Sequence, residues 1–82
     1  MKTAKYFSAT WCGPCKAFKP IMEELKREGY NIDIIDVDEQ QALAKAYNVK
    51  SLPTTIIESN GNELSRFVGA KSKAAMMEQL NG

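Results

Sequence analysis

Eighty-two residues suffice for one domain, 1–82, with a small core, because a chain of this size buries only about 60% of the surface it exposes when unfolded. Eleven Lys and Arg against ten Asp and Glu leave a net charge of +1, which gives nucleic acid or an anionic membrane no electrostatic hold. With no histidine and only two cysteines, Ser–His and Cys–His nucleophile pairs, imidazole zinc sites and a four-thiolate zinc site are all excluded within the chain.

The longest apolar run, Ala74-Ala75-Met76-Met77, is too short to span a bilayer. Lys2 is followed by no apolar leader segment, so the expected location is the cytoplasm, where thiols are mostly kept reduced. Residues 2–8 read as a strand with Tyr6 and Phe7 as its bulky members. Residues 13–28 read as a helix. Phe18, Ile21, Met22 and Leu25 share one face, Lys26 and Arg27 suit the negative end of its dipole, and Gly29 stops it. Pro14 is tolerated in the first turn. Pro20 deletes the bond to the Lys16 carbonyl and is expected to kink the helix.

Residues 31–37 form an isoleucine-rich strand. Asp38 is expected to cap a short helix over 39–47, with Gln41 completing a capping box. Residues 54–58 and 63–68 are strands joined around Asn60-Gly61, a dipeptide suited to a type I′ hairpin turn. Residues 72–80 close the chain as a helix with Met76, Met77 and Leu80 on its inner side. The order β-α-β-α-β-β-α predicts an α/β fold. A parallel pair with a right-handed crossover and an antiparallel hairpin form one mixed four-stranded sheet flanked by three helices.

Trp11-Cys12-Gly13-Pro14-Cys15-Lys16 falls where the first strand ends and the first helix begins. Orphan amides and the positive dipole end at that point favour a thiolate on Cys12, which makes it the nucleophile. Cys15, one turn on, is placed to attack a mixed disulfide at Cys12 and release the reduced partner. Gly13 and Pro14 keep the turn tight, and Lys16 adds positive charge. A structural disulfide fits poorly with a cytosolic chain and a two-residue loop. Half of an intermolecular zinc site finds no further ligand. Dithiol–disulfide exchange suits the strand-to-helix context best. Pro53, just before a strand, reads from periodicity alone as either a trans strand-starting proline or a cis one.

Taken together, these residues resemble the thioredoxin family over nearly the whole chain. Trp11 to Lys16 is similar to its active-site motif, and Pro20 to its helix-kinking proline. Leu52-Pro53-Thr54 is similar to its cis-proline loop, and Val68-Gly69-Ala70 to the glycine after its last strand. The resemblance implies that Pro53 is cis and packs opposite the two cysteines. It implies that the Leu52 backbone pairs with an extended substrate segment, with Thr54 in the same loop. Trp11, Gly69 and Ala70 would line a shallow apolar surface around Cys12; core filling is the plainer alternative for Trp11.

Three departures stand out. The family's N-terminal strand and helix have no counterpart, which leaves a minimal core of glutaredoxin-like length. The buried aspartate behind the second cysteine is Tyr6 here, and its lysine partner is Ile34, so both members of a buried charge pair are absent together. Tyr6 is a poor base near neutral pH, which leaves water or the departing Cys12 thiolate to take the Cys15 proton. Ser8 replaces an aromatic, so a more polar and open lip is expected.

The expected function is therefore reduction of protein disulfides through Cys12 and Cys15. A thioredoxin reductase fed by NADPH would regenerate the dithiol, and no cofactor or metal is held on the chain itself. A glutathione-coupled, glutaredoxin-like activity is the alternative from length. Against it stand Gly13-Pro14, the single Gly69 and the absence of dedicated cationic side chains beyond Lys16 and Lys50. A thioredoxin-fold accessory subunit is the third reading. A monomer is expected, because the core uses the large apolar faces.

Overall fold

Residues 2–82 are described by a computed structural model, and its elements follow the sequence periodicity closely. They are β1 (Lys2–Ser8), α1 (Gly13–Arg27), β2 (Asn31–Asp36), α2 (Gln41–Ala46), β3 (Thr54–Ser59), β4 (Asn62–Val68) and α3 (Lys73–Asn81). The four strands form one sheet in the order β2-β1-β3-β4. β1 runs parallel to β2 and antiparallel to β3, and β3 pairs with β4 as a hairpin. Asn60 and Gly61 take φ values of 53° and 80°, the positive pair that a type I′ turn needs.

Adjacent strand residues point to opposite faces, so Tyr6 and Phe7 open two separate cores. Tyr6 lies with Phe18, Met22, Ile57 and Met76 beneath α1 and α3. Phe7 lies with Ile35 and Ile56 on the other face, where Leu43 and Tyr47 from the α2 region cover them. α2 is only six residues long and covers only part of that face. Beyond it Lys5 bridges three strands, 2.9 Å from Asp33 and 3.9 Å from Glu58.

The helix ends follow local chemistry. Gly29 follows α1 at φ 103°, a conformation that only glycine adopts without strain. Ser72 caps α3 by accepting the Ala75 N–H at 3.1 Å. The expected start of the short helix is corrected: α2 begins at Gln41, with Gln40 as an N-cap that makes no side-chain bond. The cause lies at the end of β2. There Asp36 Oδ1 accepts the Asp38 N–H at 2.8 Å and the Glu39 N–H at 3.3 Å. That turn delays the helix and frees Asp38 to point elsewhere. Gln41 does not close a capping box but donates to the Asp38 carbonyl.

Candidate redox site

Cys12 is the N-cap of α1, with extended backbone at φ −82° and ψ 113°. The first turn of α1 carries no acidic residue, so the positive end of the helix is not offset. The Cys15 N–H donates to Cys12 Sγ at 3.3 Å, as it would to a capping oxygen. An amide aimed at this sulfur, added to the dipole, favours the thiolate over the thiol. The two cysteines are joined as a disulfide with Cα atoms 5.3 Å apart. Both are nearly buried, and they cluster with Ala9 against Val37 and Leu52.

The cis-proline loop stands beside them. The Leu52–Pro53 bond is cis, Leu52 touches the cysteine cluster, and Pro53 is fully buried. The Gly69 N–H donates to the Pro53 carbonyl at 2.9 Å, and Thr54 pairs with Val68. Gly69 has φ 99°, where a Cβ would strain the backbone. The structure thus gathers Cys12, Cys15, Leu52, Pro53, Thr54 and Gly69 at one end of the sheet. Gly13, Pro14 and Lys16 lie exposed on the turn, and Ala70 is exposed after β4.

Trp11 does not fill the core: it is 67% exposed. Its indole N–H donates to Asp38 Oδ2 at 2.7 Å, which tethers the ring next to the disulfide. Asp38 is the residue that the sequence does not reveal. Its spacing spells a helix cap, and no local pattern links it to a tryptophan 27 positions away.

Behind the pair, the Tyr6 hydroxyl donates to the Cys15 carbonyl at 3.1 Å. Its ring meets Phe18 edge-on, with centroids 5.4 Å apart. Burial pushes the phenol pKa up, and the hydrogen bond with Ser8 offsets this only in part. Tyr6 is therefore a neutral strut between sheet and helix rather than a base. Ile34 packs against the same core. Ser8 is itself buried and lines, with Ala9 and Cys15, a cleft of about 500 Å³.

Comparison with known proteins agrees with this geometry. The Thioredoxin family model matches residues 4–82. Thioredoxin from Bacillus subtilis is 45% identical over 78 residues, covering 92% of this chain and 75% of that protein. A bifunctional thioredoxin reductase/thioredoxin from Mycobacterium leprae is 42% identical over 78 residues, which are 92% of this chain and 17% of that protein. A mutant thioredoxin from Halobacterium salinarum superposes with a TM-score of 0.88 at 34% identity, covering 98% of this chain and 72% of that one. A cysteine pair at a helix start, beside a cis-proline loop at one end of a four-stranded sheet, defines a thioredoxin-like dithiol–disulfide oxidoreductase. The chain belongs to the thioredoxin family, whose members reduce protein disulfides.

Proposed function

We propose that Cys12 is the attacking thiolate and Cys15 the resolving thiol in the reduction of protein disulfides. The observation that carries this division of labour is the Cys15 amide aimed at Cys12 Sγ at the N-terminus of α1. Cys12 attacks one sulfur of the substrate disulfide, and the other sulfur leaves with the electron pair and takes a proton. Cys15 then loses its proton and attacks Cys12 Sγ. The Cys12–Cys15 bond forms, and the second substrate sulfur leaves reduced. An extended substrate segment lies along Leu52, with Gly69 and Ala70 beside it and Trp11 at its flank, while the buried Pro53 and Thr54 hold the loop that presents the Leu52 backbone. Gly13 and Pro14 leave the approach to Cys12 clear, and Lys16 adds positive charge beside it.

An NADPH-dependent thioredoxin reductase regenerates the dithiol in this reading. Support comes from the relative whose name joins a reductase to a thioredoxin in one chain. The reading places the protein in the cytoplasm as a monomer.

The test is a reduction assay on a protein disulfide with the two single variants. Cys12→Ser is expected to abolish turnover. Cys15→Ser is expected to accumulate a mixed disulfide at Cys12 that is visible by intact mass. Turnover by Cys12→Ser would refute the assignment of roles. Coupling to glutathione and its reductase, but not to thioredoxin reductase, would move the protein to the glutaredoxin-like reading.

A further inference from the structure

The two stretches that carry Leu52 and Gly69 are free of acid. Neither 40–57 nor 64–77 contains Asp or Glu, although the chain has ten of these residues. Lys50 lies two residues before Leu52, and Lys71 lies two residues after Gly69. Two residues of extended chain span at most about 7 Å, so both lysines stand close to where the substrate docks. They stand on opposite faces of the sheet. Val49, next to Lys50, packs on the Phe7 face. The Lys71 ammonium sits 4.6 Å over the Phe67 ring, which packs on the Tyr6 face. Among the described residues neither lysine has an acidic partner, whereas Lys5, Arg66 and Lys73 all do.

The other side of the disulfide is different. Lys16 and Lys19 share a cleft with Asp36 and Glu39, which offset their charge. Asp38 adds a further carboxylate, tied to the Trp11 indole. Around the disulfide, cations without a counter-charge therefore stand on the Leu52 side.

We infer that the disulfides this site selects lie in acidic segments, with carboxylates on both flanks of the reacting cysteine. The inference rests on Cys12 as the attacking thiolate and on docking along Leu52, and it names the substrate class for that reading. An acidic segment approaching a thiolate is repelled by it. Lys50 and Lys71 reverse the sign of the encounter, one ammonium meeting each flank as the segment crosses the end of the sheet. Exposed pairs add little to the strength of a complex, but they speed encounter and discriminate against a basic segment. The exchange itself is unaltered: Cys12 Sγ bonds to one substrate sulfur, and the other leaves with the electron pair.

The test follows Cys12 alone, in a Cys15→Ser background, where the trapped mixed disulfide is counted by intact mass. The probes are three symmetrical peptide disulfides with Glu, Gly or Lys on both sides of the cysteine. Each rate is divided by that of dithiothreitol with the same peptide, which removes the effect of flanking charge on the leaving thiol. At low ionic strength the Glu peptide is expected to react about fivefold faster than the Lys peptide on this scale. The ratio should approach one near 1 M salt, where the screening length is about 3 Å. Lys50→Glu/Lys71→Glu is expected to reverse the order. If circular dichroism shows that this variant has lost its fold, Lys50→Gln/Lys71→Gln is expected to abolish the preference instead. Lys26→Glu, at the far end of α1, controls for net charge and is expected to leave the ratio unchanged. No preference in the parent, or a shift with Lys26→Glu as large as with Lys50→Glu, overturns the inference. Glutathione disulfide is the fourth probe: if it equals the Glu peptide in rate and in its response to the variants, the carboxylates are read on a small molecule and the acidic-segment reading falls. Failure of Cys12 to react even with the Gly peptide overturns the exchange reading itself.

Discussion

Cys12 and Cys15 are the same chemical group made different by position. Cys12 caps a helix and accepts an amide, whereas Cys15 sits inside the first turn with its carbonyl held by Tyr6. Tyr6 in turn has a measurable signature. Tyr6→Phe deletes a buried hydrogen bond and is expected to cost about 1 kcal/mol at neutral pH, read from urea unfolding. Its pH dependence has a definite sign. A phenol whose pKa is raised by burial stays protonated in the fold while the unfolded chain ionises. Stability from this source is full below about pH 10 and falls as pH rises beyond it. Tyr47 is pushed the same way, mainly by burial, so Tyr6→Phe should make the alkaline loss shallower rather than abolish it. A variant with an alkaline slope equal to that of the parent would show that Tyr6 is not the titrating group. Asp38→Ala tests the tether on the single tryptophan. Fluorescence anisotropy is expected to fall as the exposed indole gains freedom, with unfolding free energy almost unchanged.

Among the elements, those bounded by local chemistry are legible and the one bounded at a distance is not. α1 stops where Lys26, Arg27 and Gly29 predict, and α3 starts at Lys73, just after its cap Ser72 and within one residue of the expected start. Ser72→Ala is expected to cost about 1 kcal/mol in chemical denaturation, the usual worth of an N-cap hydroxyl. α2 starts later than its sequence suggests, because Asp36 takes the amides first and Trp11 takes the Asp38 carboxylate. α1 and α3 are tied at their solvent side by Lys73, which donates to Glu24 at 2.8 Å and also to Glu28. The bond from Lys73 is the main cause that holds Glu24 below its ordinary pKa. That contribution is present at neutral pH and is lost as acid protonates Glu24. Exposed pairs are weak and screened by salt, so Lys73→Ala should change stability only at low ionic strength.

At the scale of the whole molecule, a chain this short has little stability to spare: at about 0.05–0.15 kcal/mol per residue, roughly 4–12 kcal/mol in all. Phe18→Ala removes the ring against Tyr6 and is expected to cost about 3–5 kcal/mol, enough to leave a sizeable unfolded fraction visible by circular dichroism. Tyr6 and Ile34 also put no charged side chain into the core behind Cys15. The potential of the cysteine pair, measured in glutathione or dithiothreitol buffers from about pH 5 to 9, should therefore change slope only at the two thiol pKa values. A third inflection would mean that some other group near the pair titrates with its redox state. The absolute value separates the two family readings, at about −270 mV for thioredoxin against about −200 to −230 mV for glutaredoxins.

The sequence by itself determined the strand and helix order, the hairpin at Asn60-Gly61, the helix ends at Cys12 and Gly29, and the identity of the reacting pair. Each depends on residues within about one helical turn or one hairpin of one another, so neighbours along the chain carry the information. Tertiary structure alone decided that Trp11 is exposed and held by Asp38, and that Tyr6 hydrogen-bonds Cys15. It also decided that Lys73 joins two helices and that Ser8 and Ala9 line a cleft with Cys15. These partners lie up to 49 positions apart. They meet only once parallel register sets Ser8 beside Asp36 and the crossover lays α1 over Tyr6, and no local pattern encodes either placement.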